Sequence, residues 1–461
     1  MLNIFSMKVI KIGGGCFKDE KAALEIIKLI YQKGKGNIFV LSAFSGVTDI
    51  LLSGINIALI NENKIPEIMN TLVKLHHSYI DHLISDTKKR EKQKTQISNI
   101  FKKLERYYFG INFTREATPR MRDIIISYGE RLSSLIVSSA LCSQGVKAAC
   151  LMPHKIGIIS DGKFSYASAL ISKTSENLIA FFDKNWEKDK IFFIPGFYGI
   201  SESGEITTFG RGGSDYSAAV VAAAVKADIL EIWKDTQGFM TADPDNIKNP
   251  KLIPKLSYVE AAELSYTGAG ILHPRTVEPV KKAKIDIAIK NTYNPDAPGS
   301  LISKKGFKTN SIIKSVSYTK DIAILRIHAS EVGARSGILS QISEQLFLND
   351  INIKSVITSQ TCISILVAEN DIDKSQTIIQ AMKPKPYNRS EKFKDVALVS
   401  IVGDGILHHN GIAAKCFTAT FDAGVNIQMI SFGTSNAALY FIVAEQDIDK
   451  TINALHSNFF E

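Results

Sequence analysis

Residues 8–44 read KVIKIGGGCFKDEKAALEIIKLIYQKGKGNIFVLSAF and contain the pattern that decides the fold. The stretch KVIKI predicts a β-strand, DEKAALEIIKLIYQKG predicts a helix that ends at a glycine, and GNIFVLSAF predicts a second, buried strand. Two strands joined through a helix are typical of the parallel βαβ unit. The segment therefore indicates a parallel sheet with helices packed on it.

The same alternation of strand and helix continues to about residue 305. It returns in RDIIISYGERLSSLIVSSALCSQG and in KIFFIPGFYGI. Apolar strands with helical crossovers predict an α/β domain over residues 1–305, with a mostly parallel sheet sandwiched by helices. Ligands of such sheets bind at the carboxyl ends of the strands, and the glycine loops of this chain lie there.

The last third of the chain carries an internal repeat. DIAIL at residue 321 returns as DVALV at residue 395, and NI at residue 352 returns at residue 426, in each case 74 residues later. Each copy predicts strand, helix, strand, strand and helix, a small α+β domain. We predict such domains over residues 312–382 and 394–461, either consecutive or interleaved, around the polar linker KPKPYNRSEKFK.

The composition is that of an ordinary globular protein. Apolar residues make up 45% and charged residues 22% of the 461 residues, and the formal net charge is +9. The basic stretch at residues 87–108 has helical spacing with interspersed glutamates, which favours a solvated helix face, so we expect no nucleic-acid partner. The N-terminal segment, interrupted by Lys8 and Lys11, predicts a first strand and no membrane anchor.

Cysteines and histidines give no sign of a metal site built by the protein. The five cysteines are scattered and lack a CxxC pair, which fits reduced thiols and predicts a cytoplasmic protein. His76, His77 and His82 cluster in one helical stretch. A solvent-facing helix explains them better than a metal cage, because no matching set of ligands is visible.

The stretch TTFGRGGSDYSAAVVAAAVKAD, residues 207–228, places an arginine in a glycine cluster directly before an apolar run. The glycines permit close backbone approaches, and the run at residues 217–227 predicts a buried helix. A helix N-terminus presents unpaired N–H groups to an anion, and Arg211 adds a planar grip on a carboxylate or a phosphate. This arrangement favours an anion site over a glycine-rich surface connection.

Three other motifs combine glycine, hydroxyl and charged residues at predicted element ends, and each allows two interpretations. In KVIKIGGGCF, Lys11 and the exposed N–H groups suit a polyphosphate, or the stretch is only a tight turn. In VLSAFSGVTD, Ser42, Ser45 and Thr48 either donate to a ligand or cap the next helix. In SYGERLSS, Glu130 either reaches solvent or faces an ammonium group.

A further motif, EIWKDTQGFMTADPDNI at residues 231–247, follows a predicted strand. Asp235 at the strand end can orient a ribose, a phosphate or Mg²⁺. The alternative is a set of turn residues, in which Asp243 and Pro244 begin a bend.

Taken together, KIGGG, SAFSGVTD, YGERLS, TFGRGGSDYSAA, KDTQGFMTADP and GAGILHPRTVEP occur in the order and at roughly the spacing found in aspartate kinases. The chain therefore resembles this family, and its duplicated tail resembles the family's paired ACT domains. The resemblance implies an amino acid kinase fold and transfer of the γ-phosphoryl group of MgATP to the side-chain carboxylate of L-aspartate. It also implies the first step of a pathway toward lysine, threonine and methionine.

The resemblance assigns roles to the residues that match the family's motifs. It implies Lys11 and Asp215 as catalytic residues, Glu130 as the partner of the substrate ammonium and Arg211 as the clamp on its α-carboxylate. The other candidate substrate-binding residues are Ser42, Thr48, Gly212, Gly213 and Ser214. The candidate nucleotide-binding residues are Lys11, Ile12, Gly13, Gly14, Lys234, Asp235, Met240, Gly270 and Ile271, with Mg²⁺ carried by ATP.

Four positions near the nucleotide depart from the family's pattern. Lys234, Met240, Asp245 and Gly270 stand where relatives usually have Thr, Tyr, Arg and Lys. Two expected basic groups are therefore missing, and Lys234 compensates in part, which raises the hypothesis of weakened or re-aimed ATP binding. Two alternatives to an aspartate kinase stay open, a catalytically silent amino-acid sensor and a kinase for another acceptor.

The ACT repeat implies control by an amino-acid effector and assembly of subunits. We predict a homodimer or higher homo-oligomer through the ACT domains, the alternative being a tail that serves only dimerisation. The candidate effector-binding residues are Ile338, Leu339, Ile353 and Lys354. In lysine-sensitive relatives an acidic residue aligns with Lys354, so lysine does not follow as the effector.

Overall fold

The computed structural model describes residues 7–267, 270–304, 306, 312–330 and 332–461 of the chain. These residues divide into two compact units. Unit 1 holds the described residues of Met1–Phe239, Pro254–Ala261 and Ile271–Gly306, and unit 2 holds those of Met240–Ile253, Ala262–Gly270 and Phe307–Glu461. Unit 2 therefore includes two short segments that precede the ACT repeat, and the kinase domain boundary at residue 305 stays a prediction.

Unit 1 is built on a mostly parallel sheet. Its strands, within the described residues, are β1 (Lys8–Ile12), β2 (Ile38–Leu41), β3 (Ala148–Cys150), β4 (Ile191–Pro195), β5 (Tyr198–Ile200), β6 (Ile206–Thr208), β7 (Ile229–Lys234), β8 (Lys255–Ser257), β9 (Asp286–Asn291) and β10 (Ser300–Ser303). The main sheet has the order β3-β4-β2-β1-β7-β9-β10-β8, and β5 and β6 form a separate hairpin. Among the described strands of the main sheet, β9 and β10 are the one antiparallel pair. The predicted α/β fold class is confirmed.

Helices cover both faces of this sheet. The described helices of this part of the chain are α1 (Glu20–Lys33), α2 (Val47–Ile60), α3 (Ile65–Leu83), α4 (Thr87–Thr114), α5 (Pro119–Ile126), α6 (Tyr128–Ser143), α7 (Pro153–Ile156), α8 (Ile171–Asn185), α9 (Gly213–Val225), α10 (Tyr258–Tyr266) and α11 (Pro274–Ala283). Of these, α10 is divided between the two units. Ile10 and Ile12 of β1 pack into the core with α1. Lys11 alternates with them and points to the other face, where α9 lies against β1.

The opening stretch folds as its pattern predicts. β1 and β2 pair in parallel, with Lys11 opposite Val40. Asp19 caps α1 by accepting from the N–H of Ala22 at 2.7 Å, and Gly34 ends the helix. The alternation of strand and helix thus places the ends of β1 and β2 beside each other at one edge of the sheet.

One apolar stretch, Pro119–Ser143, is long enough to cross a membrane by length and composition, and within the described residues it is the one such candidate. Its most apolar window is 72% buried inside the protein. The structure divides the stretch into α5 and α6, with Ser127 between them. Such burial is typical of a core helix.

Unit 2 contains two four-stranded sheets. Its described strands are β11 (Ser315–Thr319), β12 (Ala323–His328), β13 (Ser355–Thr358), β14 (Cys362–Val367), β15 (Arg389–Phe393), β16 (Val396–Val402), β17 (Met429–Ser435) and β18 (Ala438–Ala444). Its helices, in the same part of the chain, are α12 (Ile338–Leu348), α13 (Ile372–Ala381), α14 (Ile412–Asp422) and α15 (Ile448–Phe460). The sheet orders are β13-β14-β12-β15 and β11-β16-β18-β17.

The two repeat copies exchange edge strands. β11 lies within the first predicted domain, residues 312–382, yet pairs with β16 of the second, while β15, from the linker, pairs with β12 of the first. Each copy keeps its own apolar core, around Leu325 and Ile342 in one and Val399 and Phe441 in the other. Of the two arrangements that the repeat left open, the described strands therefore form the interleaved one.

Candidate active site

The glycine cluster of residues 210–213 joins β6 to α9 as a tight turn. Gly212 is the N-terminal cap of α9 and adopts φ of 70°, a left-handed conformation that favours glycine. A Cβ added there would lie 2.3 Å from the Cβ of His273. α9 itself is almost entirely buried, as predicted from its apolar run. The cluster therefore brings a helix N-terminus and its first side chains into the interior of unit 1.

Ser214, in the first turn of α9, connects this helix to Glu130 of α6. The Ser214 hydroxyl donates to Glu130 Oε1 at 3.1 Å. Within the described residues, the other oxygen of Glu130 has no hydrogen-bond partner. Burial raises the pKa of Glu130 to about 7, an effect that the Ser214 hydrogen bond and the charge of Lys11 only partly oppose. Glu130 is thus an incompletely satisfied buried carboxylate, which suits an ammonium group.

Asp215, the next residue, faces two lysines. Its Oδ1 lies 2.5 Å from the Nζ of Lys11, and its Oδ2 lies 3.7 Å from the Nζ of Lys234. Burial acts to raise the pKa of Asp215, but the charges of Lys11 and Lys234 outweigh it and lower that pKa. Burial also lowers the pKa of Lys234, against the opposing charge of Asp215. Two ammonium groups therefore share the buried carboxylate of Asp215.

The phosphate-loop candidate begins at the carboxyl end of β1. Gly13 donates its N–H to the carbonyl of Trp233 on β7 at 3.1 Å, and residues Gly14–Phe17 form one turn of 3₁₀ helix. A Cβ added at Gly15 would lie 3.0 Å from the Asp235 carboxylate. The loop and the end of β7 are therefore neighbours, as Ile12 and Trp233 are in the sheet. Lys11, Gly13, Gly14, Lys234 and Asp235 therefore lie close together, and their role at a nucleotide stays a prediction.

The hydroxyl candidates Ser42 and Thr48 lie at the end of β2 and the start of α2. Ser42 donates its N–H to the carbonyl of Ile12 at 3.2 Å, and both residues are partly exposed. Gly46, with φ of 77°, is the N-terminal cap of α2, and this helix has no side-chain cap. The alternative role of these hydroxyls as helix caps is therefore wrong for α2.

Arg211 is exposed, directly before the cap of α9. Gly213 and Ile271 are buried in unit 1. Met240 and Gly270, two further nucleotide candidates, belong to unit 2.

Two residues that the sequence analysis missed hold the segments around this turn. Asp123 is fully buried and accepts from the N–H groups of Ser165 and Thr208, both at 2.8 Å, and burial raises its pKa. Arg275 donates to the carbonyls of Phe209 at 2.8 Å and of Ala167 at 2.6 Å. Arg275 belongs to the LHPRTVEP motif, whereas Asp123 gave no local signal because it lies in an apolar run.

The histidine cluster contains no metal cage. Within the described residues, no group of three His, Cys, Asp or Glu side chains could hold a metal ion. His76 is fully buried, bonded through Nδ1 to the Leu72 carbonyl at 2.7 Å, and burial lowers its pKa to about 4. The prediction of a solvent-facing cluster was therefore wrong for His76, which packs between Phe44 and Phe101.

The effector candidates lie in the first repeat of unit 2. Ile338 begins α12 after Gly337, and Leu339 is 39% exposed. Ile353 packs against the core of the first repeat. The Lys354 ammonium lies 2.9 Å from Asp321 Oδ2. Its charge is therefore already paired within unit 2.

Comparison with known proteins agrees with this geometry. The sequence model of the amino acid kinase family matches residues 6–291, and that of an ACT domain matches residues 399–459. Unit 1 is thus the catalytic fold of a small-molecule kinase, and a regulatory fold follows it. The chain belongs to the amino acid kinase family.

Aspartokinases from plants and bacteria are similar over most of the chain. Aspartokinase 1, chloroplastic, of Arabidopsis thaliana is 30% identical over 98% of this chain and 80% of its own length. Aspartokinase 2 of Bacillus subtilis is 31% identical over 75% of this chain and 83% of its own length. The aspartate kinase of Clostridium acetobutylicum superposes with a TM-score of 0.78 at 27% identity, covering 98% of this chain and 100% of that one.

The fold agreement extends to E. coli aspartokinase III in complex with aspartate and ADP, with a TM-score of 0.85 at 23% identity over 99% of this chain and 100% of that one. The chain belongs to the aspartokinase family, as its 30% identity to aspartokinase 1 of Arabidopsis thaliana shows, and the predicted family, fold and activity are confirmed. The reaction is transfer of the γ-phosphoryl group of ATP to the side-chain carboxylate of L-aspartate, giving 4-phospho-L-aspartate.

Proposed function

We propose that unit 1 binds the phosphates of ATP at Lys11, Gly13, Gly14 and Lys234, and binds aspartate between Glu130 and Arg211. One observation carries this assignment. Ser214 and Asp215 are adjacent in the first turn of α9, yet Ser214 donates a hydrogen bond to Glu130 while Asp215 forms ion pairs with Lys11 and Lys234. The acceptor end and the phosphate end of the site are therefore joined through two consecutive residues of one rigid helix.

The transfer itself needs little covalent help from the protein. An oxygen of the aspartate side-chain carboxylate attacks the γ-phosphorus, the bond to the β–γ bridging oxygen breaks, and ADP leaves with that electron pair. The nucleophile is already an anion, so no general base is required. Lys11 and Lys234 stabilise the charge on the phosphate oxygens, while Asp215 keeps both ammonium groups in position.

The substrate is oriented by its two non-reacting groups. The ammonium group of aspartate pairs with Glu130, and its α-carboxylate pairs with the planar guanidinium of Arg211 and the N-terminal end of α9. Ser42 and Thr48, at the adjoining ends of β2 and α2, contribute hydroxyls. With both α-substituents held, the side-chain carboxylate is left to point toward Lys11.

The residues present fit a Mg²⁺ ion that arrives with ATP. Mg²⁺ is usually bound by one or two carboxylates together with phosphate oxygens and waters, and the Asp235 carboxylate adjoins the phosphate loop at Gly15. When bound, the ion would neutralise phosphate charge. Asp235 is the residue that would hold it.

Lys234 gives a direct test of the nucleotide assignment. We expect Lys234→Thr to raise the KM for ATP about tenfold and to leave the KM for aspartate within about twofold, because one charge-assisted contact to phosphate is lost. Steady-state kinetics with each substrate varied measure both values. The exposed Lys282, exchanged in the same way, is the matched control. An unchanged KM for ATP in Lys234→Thr would remove this lysine from the phosphate site.

The raised pKa of Glu130, at about 7, predicts a pH dependence of substrate binding. The substrate ammonium binds the ionised carboxylate, so kcat/KM for aspartate should rise from pH 6 through about 7 and then level off. Aspartate binding below pH 7 should also release protons, because Glu130 is largely protonated in the free enzyme and ionised in the complex. Kinetics in a series of buffers and calorimetry in buffers of different ionisation enthalpy measure the two effects. Glu130→Gln should flatten the profile, and a flat profile in the unchanged protein would contradict the assignment.

Unit 2 is proposed as the regulatory and oligomerising part of a cytoplasmic enzyme. β17 is an edge strand whose Ile430 is 45% exposed and whose Phe432 is 42% exposed, which favours pairing with a second copy of the chain. An amino-acid effector would bind near the start of α12, at Ile338 and Leu339. Ile353 and Lys354, which directly precede β13, are proposed as further effector-binding residues.

A further inference from the structure

Unit 2 contains a cavity of about 320 Å³ that Lys354 lines but Ile338, Leu339 and Ile353, the other effector candidates, do not. Leu366 of β14 lines it from one sheet, and Leu398 of β16 and Ile442 of β18 line it from the other. These three side chains belong to one apolar cluster. Glu263 and Tyr266, from the unit 2 end of α10, complete the lining.

Glu263 places a negative charge beside this apolar space. Its Oε1 accepts from the hydroxyl of Ser435, and its Oε2 accepts from the hydroxyl of Tyr440. Both donors are neutral, and Glu263 has no ion pair with any side chain in the part of the chain that the structure describes. A part-buried carboxylate with only neutral donors attracts a cation.

The basic residue at the cavity does not neutralise Glu263. Lys354 lines the same space, but its ammonium lies 2.9 Å from Asp321 Oδ2 and also donates to the Asp321 carbonyl. The charge of Lys354 is therefore already balanced. Since no described side chain neutralises Glu263, a cation from outside the protein is the partner that its carboxylate lacks in this part of the chain.

Two aromatic rings next to Glu263 suit a cation with an apolar body. The rings of Tyr266 and Tyr440 meet edge to face, with centroids 6.3 Å apart and planes at 79°. Aromatic faces attract ammonium groups, and the remaining wall around Leu366, Met429 and Ile442 suits aliphatic carbon. Tyr266 is held in place because its hydroxyl donates to the Lys354 carbonyl at 2.9 Å.

We propose that this cavity binds a small molecule with one primary ammonium group on a short aliphatic body, with the ammonium at Glu263 and the aliphatic part against Leu366 and Ile442. Aliphatic amines and aliphatic amino acids share this chemistry. The site is independent of the roles proposed for Lys11 and Glu130, because every residue that lines it belongs to unit 2. Loss of catalysis and loss of this binding can therefore be observed separately.

Isothermal titration calorimetry on the full chain tests the proposal with four probes of similar size. Isoamylamine and L-leucine carry the ammonium group, whereas isoamyl alcohol and isocaproate lack it. We expect binding of the ammonium-bearing probes only, and the tighter of the two distinguishes an amine from an amino acid as the ligand class. Glu263→Gln should weaken that binding at least tenfold. Glu344→Gln, an exposed glutamate on α12, is the matched control and should leave it unchanged.

Tyr440→Phe provides a second test in case Glu263→Gln fails to fold. It keeps the ring and removes one donor to Glu263, so the affinity for the ammonium-bearing probes should be kept or increased. Three results would overturn the proposal: no binding of either ammonium-bearing probe, equal binding of isoamyl alcohol, or unchanged binding in a folded Glu263→Gln. A lost affinity in Tyr440→Phe would also contradict it.

Discussion

Lys11→Met is expected to lower kcat about a thousandfold at saturating ATP and aspartate, the largest effect of any single exchange proposed for this protein. Lys11 is buried, and its ammonium lies 2.5 Å from Asp215 in the first turn of α9, where we place the phosphates. A positioned cation in a water-poor site stabilises the negative charge of the transition state. Methionine has a similar length but no charge, so it cannot replace this effect. A hydroxamate assay with MgATP, L-aspartate and hydroxylamine measures the loss. Lys21→Met, at an exposed lysine of α1, is the matched control.

The same exchange also disturbs Asp215, and the two effects can be separated. Removing Lys11 takes away the closest partner of the buried Asp215 and leaves Lys234 at 3.7 Å, which destabilises the fold because the buried charge is less well compensated. Lys11→Met combined with Asp215→Asn removes both charges. We expect thermal stability to recover in the double variant while activity stays lost. Recovery of activity as well would show that Lys11 only neutralises Asp215 and takes no part in transfer.

Glu130→Gln is expected to lower kcat/KM for aspartate about a hundredfold, because it removes the buried charge that pairs with the substrate ammonium. The KM for ATP should change by less than about twofold. Succinate, which has no ammonium group, gives the sharper readout. The unchanged enzyme should prefer aspartate to succinate strongly, and Glu130→Gln should lose most of that preference.

Competition measurements with both acceptors give this preference directly. Ser214→Ala is a useful comparison, since it removes the one hydroxyl that donates to Glu130 Oε1 and leaves the carboxylate in place. Ser214→Ala should lower kcat/KM for aspartate less than Glu130→Gln does. If the preference for aspartate survives in a folded Glu130→Gln, another residue binds the ammonium group.

Much of the fold follows from local sequence pattern. The strand, glycine loop, helix and strand of residues 8–44 form as β1, α1 and β2 because the apolar spacing has one period in the strands and another in the helix. The apolar run after the GRGGSD cluster is α9, since nothing but burial suits so many alanines and valines. The repeat likewise predicted two related α+β domains, because similar segments recur in the same order along the chain.

Part of the site was also visible in the sequence, because particular side chains suit particular chemistry. Lysine beside glycine suited phosphate, and arginine at a helix start suited an anion. What the sequence left open for Glu130 was its environment. Solvent exposure and burial are equally compatible with a glutamate in an apolar helix, and the structure shows it buried beside Ser214 with a raised pKa.

The sequence by itself determined which segments are strands, helices and glycine turns, and which residue types could meet an anion or an ammonium group, since these depend on neighbours along the chain. Only the tertiary structure decided that Asp215 joins Lys11 to Lys234, that Asp123 anchors Thr208, and that β11 and β15 exchange sheets. These contacts join residues far apart in sequence. They depend on strand register and on burial, and neither is encoded in any short stretch.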